Sequence, residues 1–519
     1  MLLLGWFKIV AGILVAIACA STLAAYAYGR FAEGAKGETS HAFVREADAT
    51  TLDRVATRLM TNHDGETGLT ILTSNLDAFA ARALAAQTAE RSLDLMYYIW
   101  NHDLTGQLLV DRLIAAADRG VRIRLLLDDI GVETSDTVFL ALDSHPNIEL
   151  RLFNPTRARQ PGLRRGIEMV LRAFSVTRRM HNKAWIADGR LAIVGGRNIG
   201  DEYFDAAERS NFHDLDLLAF GDVVDQTETM FDAYWNSGLA LPIAKLAETS
   251  KNHLSRLRDD LELLRKSNEA APYLQRVRER VELISPTQAD LLWTQQARLV
   301  ADPPEKAAGK RSENWLMQQV LPSMVAARER VQITSPYFIP GDGGVAALTE
   351  LTQKGVVVDI LTNSLAATDV AAVHGGYAPY RADLLKGGVK LYELRPTAGS
   401  GDFSLRGSSS ASLHTKAFTI DGKLGFIGSL NFDPRSMSLN TEMGILFEAP
   451  QLVAQMNTIF AKEISPAMSY ALSLDAKDRL RWHTEEDGQA VTYDHDPGAG
   501  WGRRLVAWVV GLLPLESQL

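Results

Sequence analysis

The chain has 519 residues, 54 of them basic and 63 acidic, for a formal charge of −9 at pH 7. That length exceeds what one hydrophobic core organises, which predicts two or three domains, and the acidic balance argues against a nucleic-acid partner held by bulk charge. The single cysteine, Cys19, excludes an internal disulfide framework and any cysteine-based zinc or iron–sulfur site.

Residues 9–29 form an uncharged run between Lys8 and Arg30, 21 residues long, which at helical rise matches a bilayer core. The run predicts an N-terminal transmembrane helix with the amino terminus inside, a single membrane anchor. The alternative is a signal cleaved near Ala25-Tyr26-Ala27, which would release a secreted protein. Residues 38–247 and 311–480 then read as two halves of one plan. Each runs strand, helix, strand: RSLDLMYYIW to VRIRLLLDD in the first, RVQITSPYFI to VVVDILTNS in the second. Such alternation predicts an α/β fold in each half.

The strongest internal match follows. His181-Asn182-Lys183 leads to Asp188, Gly195-Gly196 and Asn198, and His414-Thr415-Lys416 leads to Asp421, Gly428-Ser429 and Asn431. From each histidine, Lys lies at +2, Asp at +7, Gly at +14 and Asn at +17, with a constant separation of 233. On an extended strand, residues two apart share a face, so an imidazole and an ammonium point together. Apolar runs on either side of Asp188-Gly189 and Asp421-Gly422 predict hairpins, a structural role for both aspartates. Further on, Asp214 and Asp216 alternate with apolar residues in HDLDLLAF, as Asn440 and Glu442 do in LNTEMGILF. Asp216 and Glu442 align as strand carboxylates able to fix a histidine tautomer.

Other stretches carry weaker signals. Arg157, Arg159, Arg164, Arg165, Arg172, Arg178 and Arg179 face one acid, Glu168, and interleave with apolar residues, a pattern suited to an anionic lipid surface. Residues 248–310 read as a helical linker ending in a mobile proline-bearing stretch, from which Lys306 and Lys310 are weak phosphate candidates. Asp369, His374, Tyr377 and Arg381 are candidates for a head-group pocket. The tail, 481–519, ends in a tryptophan-bearing apolar helix too short to span a membrane.

The duplicated His-x-Lys-x4-Asp-x6-Gly-Gly/Ser-x-Asn pattern resembles the phospholipase D superfamily. YYIWNHDLTGQLL, RRMHNKAWIADGRLAIVGGRNIGDEYF and SLHTKAFTIDGKLGFIGSLNFDPRS are similar to bacterial cardiolipin synthases of the C-type branch. The resemblance implies two α/β sandwich repeats packed about a pseudo-twofold axis, with residues 1–37 as anchor and linker. It implies phosphatidyl transfer between phospholipids, phosphatidylglycerol with itself or with phosphatidylethanolamine, without a cofactor or metal. A phospholipase D releasing phosphatidic acid is the alternative, and a catalytically idle membrane scaffold a remoter one. By the same resemblance His181 would attack phosphorus and His414 would serve the leaving and entering alcohols. Lys183, Lys416, Asn198 and Asn431 would hold phosphoryl oxygens, Asp216 would orient His181, and Glu442 would orient His414. Members of this branch can require an accessory protein.

Overall fold

The computed structural model describes residues 2–132, 136–159, 162–208, 210–247, 253–310, 313–396, 410–513 and 518. Its first half supplies β1 (Thr67–Leu72), β2 (Ser92–Tyr97), β3 (Arg122–Asp128), β4 (Ile148–Phe153), β5 (Ala184–Ala187), β6 (Leu191–Gly195), β7 (Ser210–His213), β8 (Asp216–Gly221), β9 (Ala240–Pro242) and β10 (Leu292–Thr294). The second half supplies β11 (Ala297–Ala301), β12 (Arg330–Thr334), β13 (Val357–Asn363), β14 (Lys390–Leu394), β15 (Ser410–Leu413), β16 (Ala417–Ile420), β17 (Leu424–Gly428), β18 (Met443–Glu448), β19 (Ser469–Leu474), β20 (Leu480–Glu486) and β21 (Gln489–Tyr493). Two large sheets result, ordered β10-β1-β8-β6-β5-β2-β3-β4-β9 and β11-β18-β17-β16-β12-β13-β14-β19-β20-β21.

The two orders repeat one design. A parallel trio, β2-β3-β4 or β12-β13-β14, is joined to the antiparallel hairpin that follows each His-x-Lys. Helices Leu104–Asp118 and Gly341–Gln353 make matching crossovers between the first two strands of each trio. Inward-facing Leu69, Met96, Ile186, Val194 and Leu217 of the first sheet join Ile427, Met443, Ile445 and Phe447 of the second in one buried cluster. Each large aliphatic side chain buried there contributes about 1.5–3 kcal/mol. The stretch 248–310, expected as a linker, adds an edge strand to each sheet, β10 and β11, and the expected tail donates β21 and most of β20.

Helix Leu2–Ala35 contains the uncharged run. Among the described residues, no helix is long and apolar enough to cross a membrane. The end of this helix leans on the body of the protein: Tyr28 donates its hydroxyl to the Pro155 carbonyl at 2.7 Å, and Ala32 and Ala35 pack on Leu241.

Both Asp-Gly turns form as expected, with Asp188 and Asp421 at φ 52°. Each carboxylate gathers three backbone N–H groups from the segment leading into the first strand of its trio. Asp188 accepts from Glu90, Arg91 and Ser92, and Asp421 from Arg328, Glu329 and Arg330. Asp188 is 1% exposed, so Asp188→Ala should lower unfolding stability by on the order of 3 kcal/mol, the scale for orphaning buried donors. Asp188→Asn, which keeps one acceptor oxygen and tolerates positive φ, should lose less; equal losses in denaturant titrations would refute this account.

Candidate active site

Each His-x-Lys tripeptide lies in an irregular lead-in just before β5 or β16. The side chains of residues two apart share a face there: Lys183 Nζ donates to the His181 carbonyl at 2.6 Å, and Lys416 Nζ to the His414 carbonyl at 2.5 Å. The histidines are then fixed from the opposite repeat. His181 Nδ1 lies 2.8 Å from Glu442 Oε2, and His414 Nδ1 lies 2.6 Å from Asp214 Oδ2. The residue before each carboxylate completes the grip, since His181 N donates to the Thr441 carbonyl at 2.9 Å and His414 N to the His213 carbonyl at 2.8 Å. With Nδ1 engaged, Nε2 is the nitrogen left to react.

This corrects the expected carboxylate assignments. Glu442 serves His181, and Asp214, not Asp216, serves His414. The register explains the slip: Gly195 pairs with Asp216, whereas Gly428 pairs with Gly444, so Glu442 corresponds to the residue two before Asp216. Asp216 is fully buried between Arg82, at 2.9 Å, and Arg197, at 3.3 Å. It holds the scaffold beneath the site.

The Gly/Ser position of the motif follows from those carboxylates. A Cβ at Gly196 would stand 2.2 Å from Asp214 Oδ1, so only glycine admits the aspartate. Its counterpart Ser429 donates its hydroxyl to Glu442 Oε2, and Ser436 donates to Oε1 at 2.7 Å. Gly195 and Gly428 are close-approach positions too, with a Cβ 2.1 Å from Asp216 Oδ1 and 2.3 Å from the Met443 carbonyl respectively. Asn198 accepts from Ile99 N at 3.2 Å and donates to the Tyr203 hydroxyl at 2.8 Å. Asn431 is 4% exposed, and its Oδ1 has no hydrogen-bond partner among the described residues. Tyr98 meets the His181 ring edge-on at 5.0 Å, and Tyr203 meets His414 at 5.1 Å.

Electrostatically the halves differ. Burial pushes His181 down to about 4, with Glu442 opposing and Lys183 adding to the fall. Burial and then Lys416 drive His414 well below its ordinary value. Burial lowers Lys183 to about 7 and Lys416 to about 8, with Glu442 and Asp214 respectively the leading opposing charges. Burial raises Asp214 despite Lys416 and Arg197. For Glu442 burial acts the same way, but His181, Lys183 and the Ser429 hydroxyl outweigh it and hold the carboxyl below its usual range.

The remaining candidates are dispersed. Asp369 is exposed, accepts from the Tyr337 hydroxyl at 2.8 Å, and its charge reaches His414. His374 and Arg381 turn instead to the tail: Arg381 donates to Asp496 at 2.7 Å and to Glu393 at 3.3 Å, and His374 Nε2 lies 3.5 Å from Asp496. His374, Glu393 and Asp496 bring ligand atoms within 4.8 Å of one another, but Arg381 pairs with both carboxylates. Tyr377 is buried edge-on to His374. Lys306 is buried against Asp302 at 2.8 Å, and Asp302 accepts from Glu442 N, so this lysine braces the site from behind.

Most of the arginine-rich stretch is paired inward. Arg159 contacts Asp129 and Asp136, Arg172 contacts Glu168, and Arg179 contacts Asp128. Helix Leu163–Leu171 exposes apolar side chains, Leu163 at 80% and Val170 at 69%, together with Arg164. Helix Trp501–Gly511 likewise exposes Trp501 and Trp508.

Comparisons with known proteins agree with this geometry. A family profile described as cardiolipin synthase, PLD-like domain, matches residues 84–235 and 320–464. Cardiolipin synthase C of Escherichia coli strain K12 is 41% identical over 479 residues, 89% of this chain and 98% of that protein. A cardiolipin synthase of Geobacillus kaustophilus is 27% identical over 378 residues, 72% of this chain and 61% of its own length. Among solved structures, phosphatidylserine synthase of Haemophilus influenzae Rd KW20 superposes with a TM-score of 0.52 at 13% identity, over 79% of this chain and 90% of that one, a likeness of fold. With two repeats matched by one family profile and near-complete alignment to a relative of 41% identity, this chain belongs to the cardiolipin synthase family built on phospholipase D-like domains.

Proposed function

We propose that the protein is a phosphatidyltransferase that joins two phospholipids through a phosphohistidine on His181. The observation that carries the reading is the pair of buried histidines, each held at Nδ1 by a carboxylate of the other repeat and each flanked by a lysine. In the first half-reaction, Nε2 of neutral His181 attacks phosphorus and the N–P bond forms. The P–O bond to the donor's alcohol breaks, and that oxygen takes a proton from His414. In the second, His414 removes the proton of an acceptor hydroxyl, the new P–O bond forms, and N–P breaks. Lys183, Lys416 and the amides of Asn198 and Asn431 supply positive charge and donors to the non-bridging oxygens.

The asymmetry between the carboxylates supports His181 as nucleophile. Glu442 receives three side-chain donors and stays ionised, which stabilises the cationic ring of a phosphohistidine. Asp214, raised by burial, exerts a weaker hold on His414. An arriving phosphodiester anion offsets Lys183 and Lys416, which raises His414 toward the protonated form that the leaving alcohol requires.

Phosphatidylglycerol as acceptor, with phosphatidylglycerol or phosphatidylethanolamine as donor, is the substrate pairing that the family suggests. Membrane attachment in a bacterial inner membrane is part of this reading. It is supported by the uncharged run at residues 9–29 and by the outward apolar faces of helices Leu163–Leu171 and Trp501–Gly511. Asp369, whose charge reaches His414, is the candidate head-group residue that the fold leaves facing solvent.

Labelled phosphatidylglycerol, incubated with the purified protein with and without phosphatidylethanolamine, should yield cardiolipin. Phosphatidic acid alone would instead establish hydrolysis, and no turnover would refute an enzymatic role. His181→Ala and His414→Ala should each lose at least about 10³-fold in turnover, within the range for removed acid–base and nucleophilic groups. Full activity in either variant would break the two-histidine scheme. Because burial holds free His181 down to about 4, kcat/KM should show no acid limb near the ordinary histidine value. Because free His414 lies well below that value and Lys183 falls to about 7, kcat/KM should decline as pH rises, most steeply above about pH 7. An acid limb at the ordinary histidine value would contradict the buried, neutral nucleophile.

A further inference from the structure

The peptide just upstream of each histidine is held by one side chain at the end of the middle parallel strand. Asp128, the last residue of β3, accepts from Met180 N at 2.9 Å and from Ile130 N at 3.1 Å, and pairs with Arg179 at 3.3 Å. Asn363, the last residue of β13, makes a two-sided clamp on Leu413: Nδ2 donates to the Leu413 carbonyl and Oδ1 accepts from Leu413 N, both at 2.9 Å. Met180 and Leu413 directly precede His181 and His414. The two sites are equivalent by backbone geometry, since the next residue in each case, Asp129 or Ser364, donates its N–H to the last residue of the adjoining strand, Phe153 or Leu394. Asp128 is fully buried and Asn363 is 2% exposed.

We propose that Asp128 and Asn363 are a symmetry-related pair of positioning residues, each setting the reach of one histidine. The proposal rests on the phosphatidyl-transfer reading for its kinetic consequences but not for its geometry. Leu413 ends β15, which pairs with β7 on one side only, and Met180 forms a lone bridge to Thr441, so the remaining backbone polar groups there need a side-chain partner. Asn363 acts as a one-residue strand for Leu413, whereas Asp128 fixes one N–H and adds a charge that binds Arg179. The different side chains predict different tolerances. Asn363→Asp places a carboxylate oxygen against the Leu413 carbonyl and breaks half of the clamp. Asp128→Asn retains an acceptor for Met180 N.

The test uses the full-length protein in detergent micelles and two readouts. In the first, proton NMR follows the two Nδ1–H···carboxylate resonances, assigned by loss in His181→Ala and His414→Ala. Asn363→Asp should move or broaden the His414 resonance and leave that of His181 in place, and Asp128→Ala should do the reverse. Both resonances unmoved, or both moved by each variant, would overturn the proposal, and this readout needs no turnover. In the second, a phosphatidyl donor with a p-nitrophenol leaving group requires no proton from His414. Asn363→Asp should retain the p-nitrophenol burst and lose about 10²-fold in later steady-state turnover, the scale of a 1 Å misplacement. Asp128→Ala should lose the burst itself, and Asp128→Asn should recover it to within about tenfold of wild type. Equal damage to burst and steady state in every variant would mark the residues as merely structural. A wild-type protein without a burst would refute the transfer reading and leave the NMR outcome to decide this one.

Discussion

Neither repeat can orient its own histidine. The hydrogen bonds from Nδ1 of His181 to Glu442 and from Nδ1 of His414 to Asp214 run in opposite directions across the interface between the two sheets. The backbone bonds to Thr441 and His213 run with them. The remaining features of the site accommodate this exchange. Gly196 makes room for one carboxylate, Ser429 and Ser436 satisfy the other, and Lys306 with Asp302 supports the backbone that carries it. The shared apolar cluster behind the site keeps the sheets in register, because a slip there would break both pairs together.

The polar core of the site is expensive to fold. Two lysines, two histidines and two carboxylates are buried in one region, and each is stable only in company. Burial draws both ammonium groups toward neutrality, against the opposing charges of Glu442 and Asp214. A phosphodiester anion would add to those charges and favour the cationic form of both lysines. The same principle explains why the arginines around residues 157–179 do not form the cationic surface their density suggested. Arginines kept near an apolar interface find Asp128, Asp129, Asp136 and Glu168, and the residues left facing outward include Leu163, Ile167 and Val170 beside Arg157 and Arg164.

Much of this was legible from spacing alone. Offsets of +2, +7, +14 and +17 from each histidine placed the lysine on its face, the aspartate at its turn, and the glycine and asparagine at the end of the hairpin. Local geometry governs those relations over a few residues. The carboxylates were not recovered so well, because the segment between hairpin and next strand has different lengths in the two halves and aligning on the downstream apolar run shifts the register by two. Counting back from the glycines that pair with β8 and β18 would have found Asp214. Asp128 and Asn363 left a fainter trace, a polar residue closing an apolar strand in LLLDD and ILTNS. Asp496, the partner that His374 and Arg381 share, lies more than 100 residues onward in the tail, where no periodicity connects it to them.

The passage between the sheets constrains how two large lipids can be handled. β10 ends at Thr294 in one sheet and β11 begins at Ala297 in the other, so only Gln295 and Gln296 intervene. Three peptide links reach at most about 11 Å, close to the roughly 10 Å that separates packed sheets. Thr294 is further fastened to the Glu448 carbonyl at 2.7 Å, and Leu299 N to Gln226 at 2.9 Å. Along that edge the halves are sewn shut, so the protein cannot part like a clamshell to admit a substrate there. Donor and acceptor must therefore reach the histidines from elsewhere around the interface.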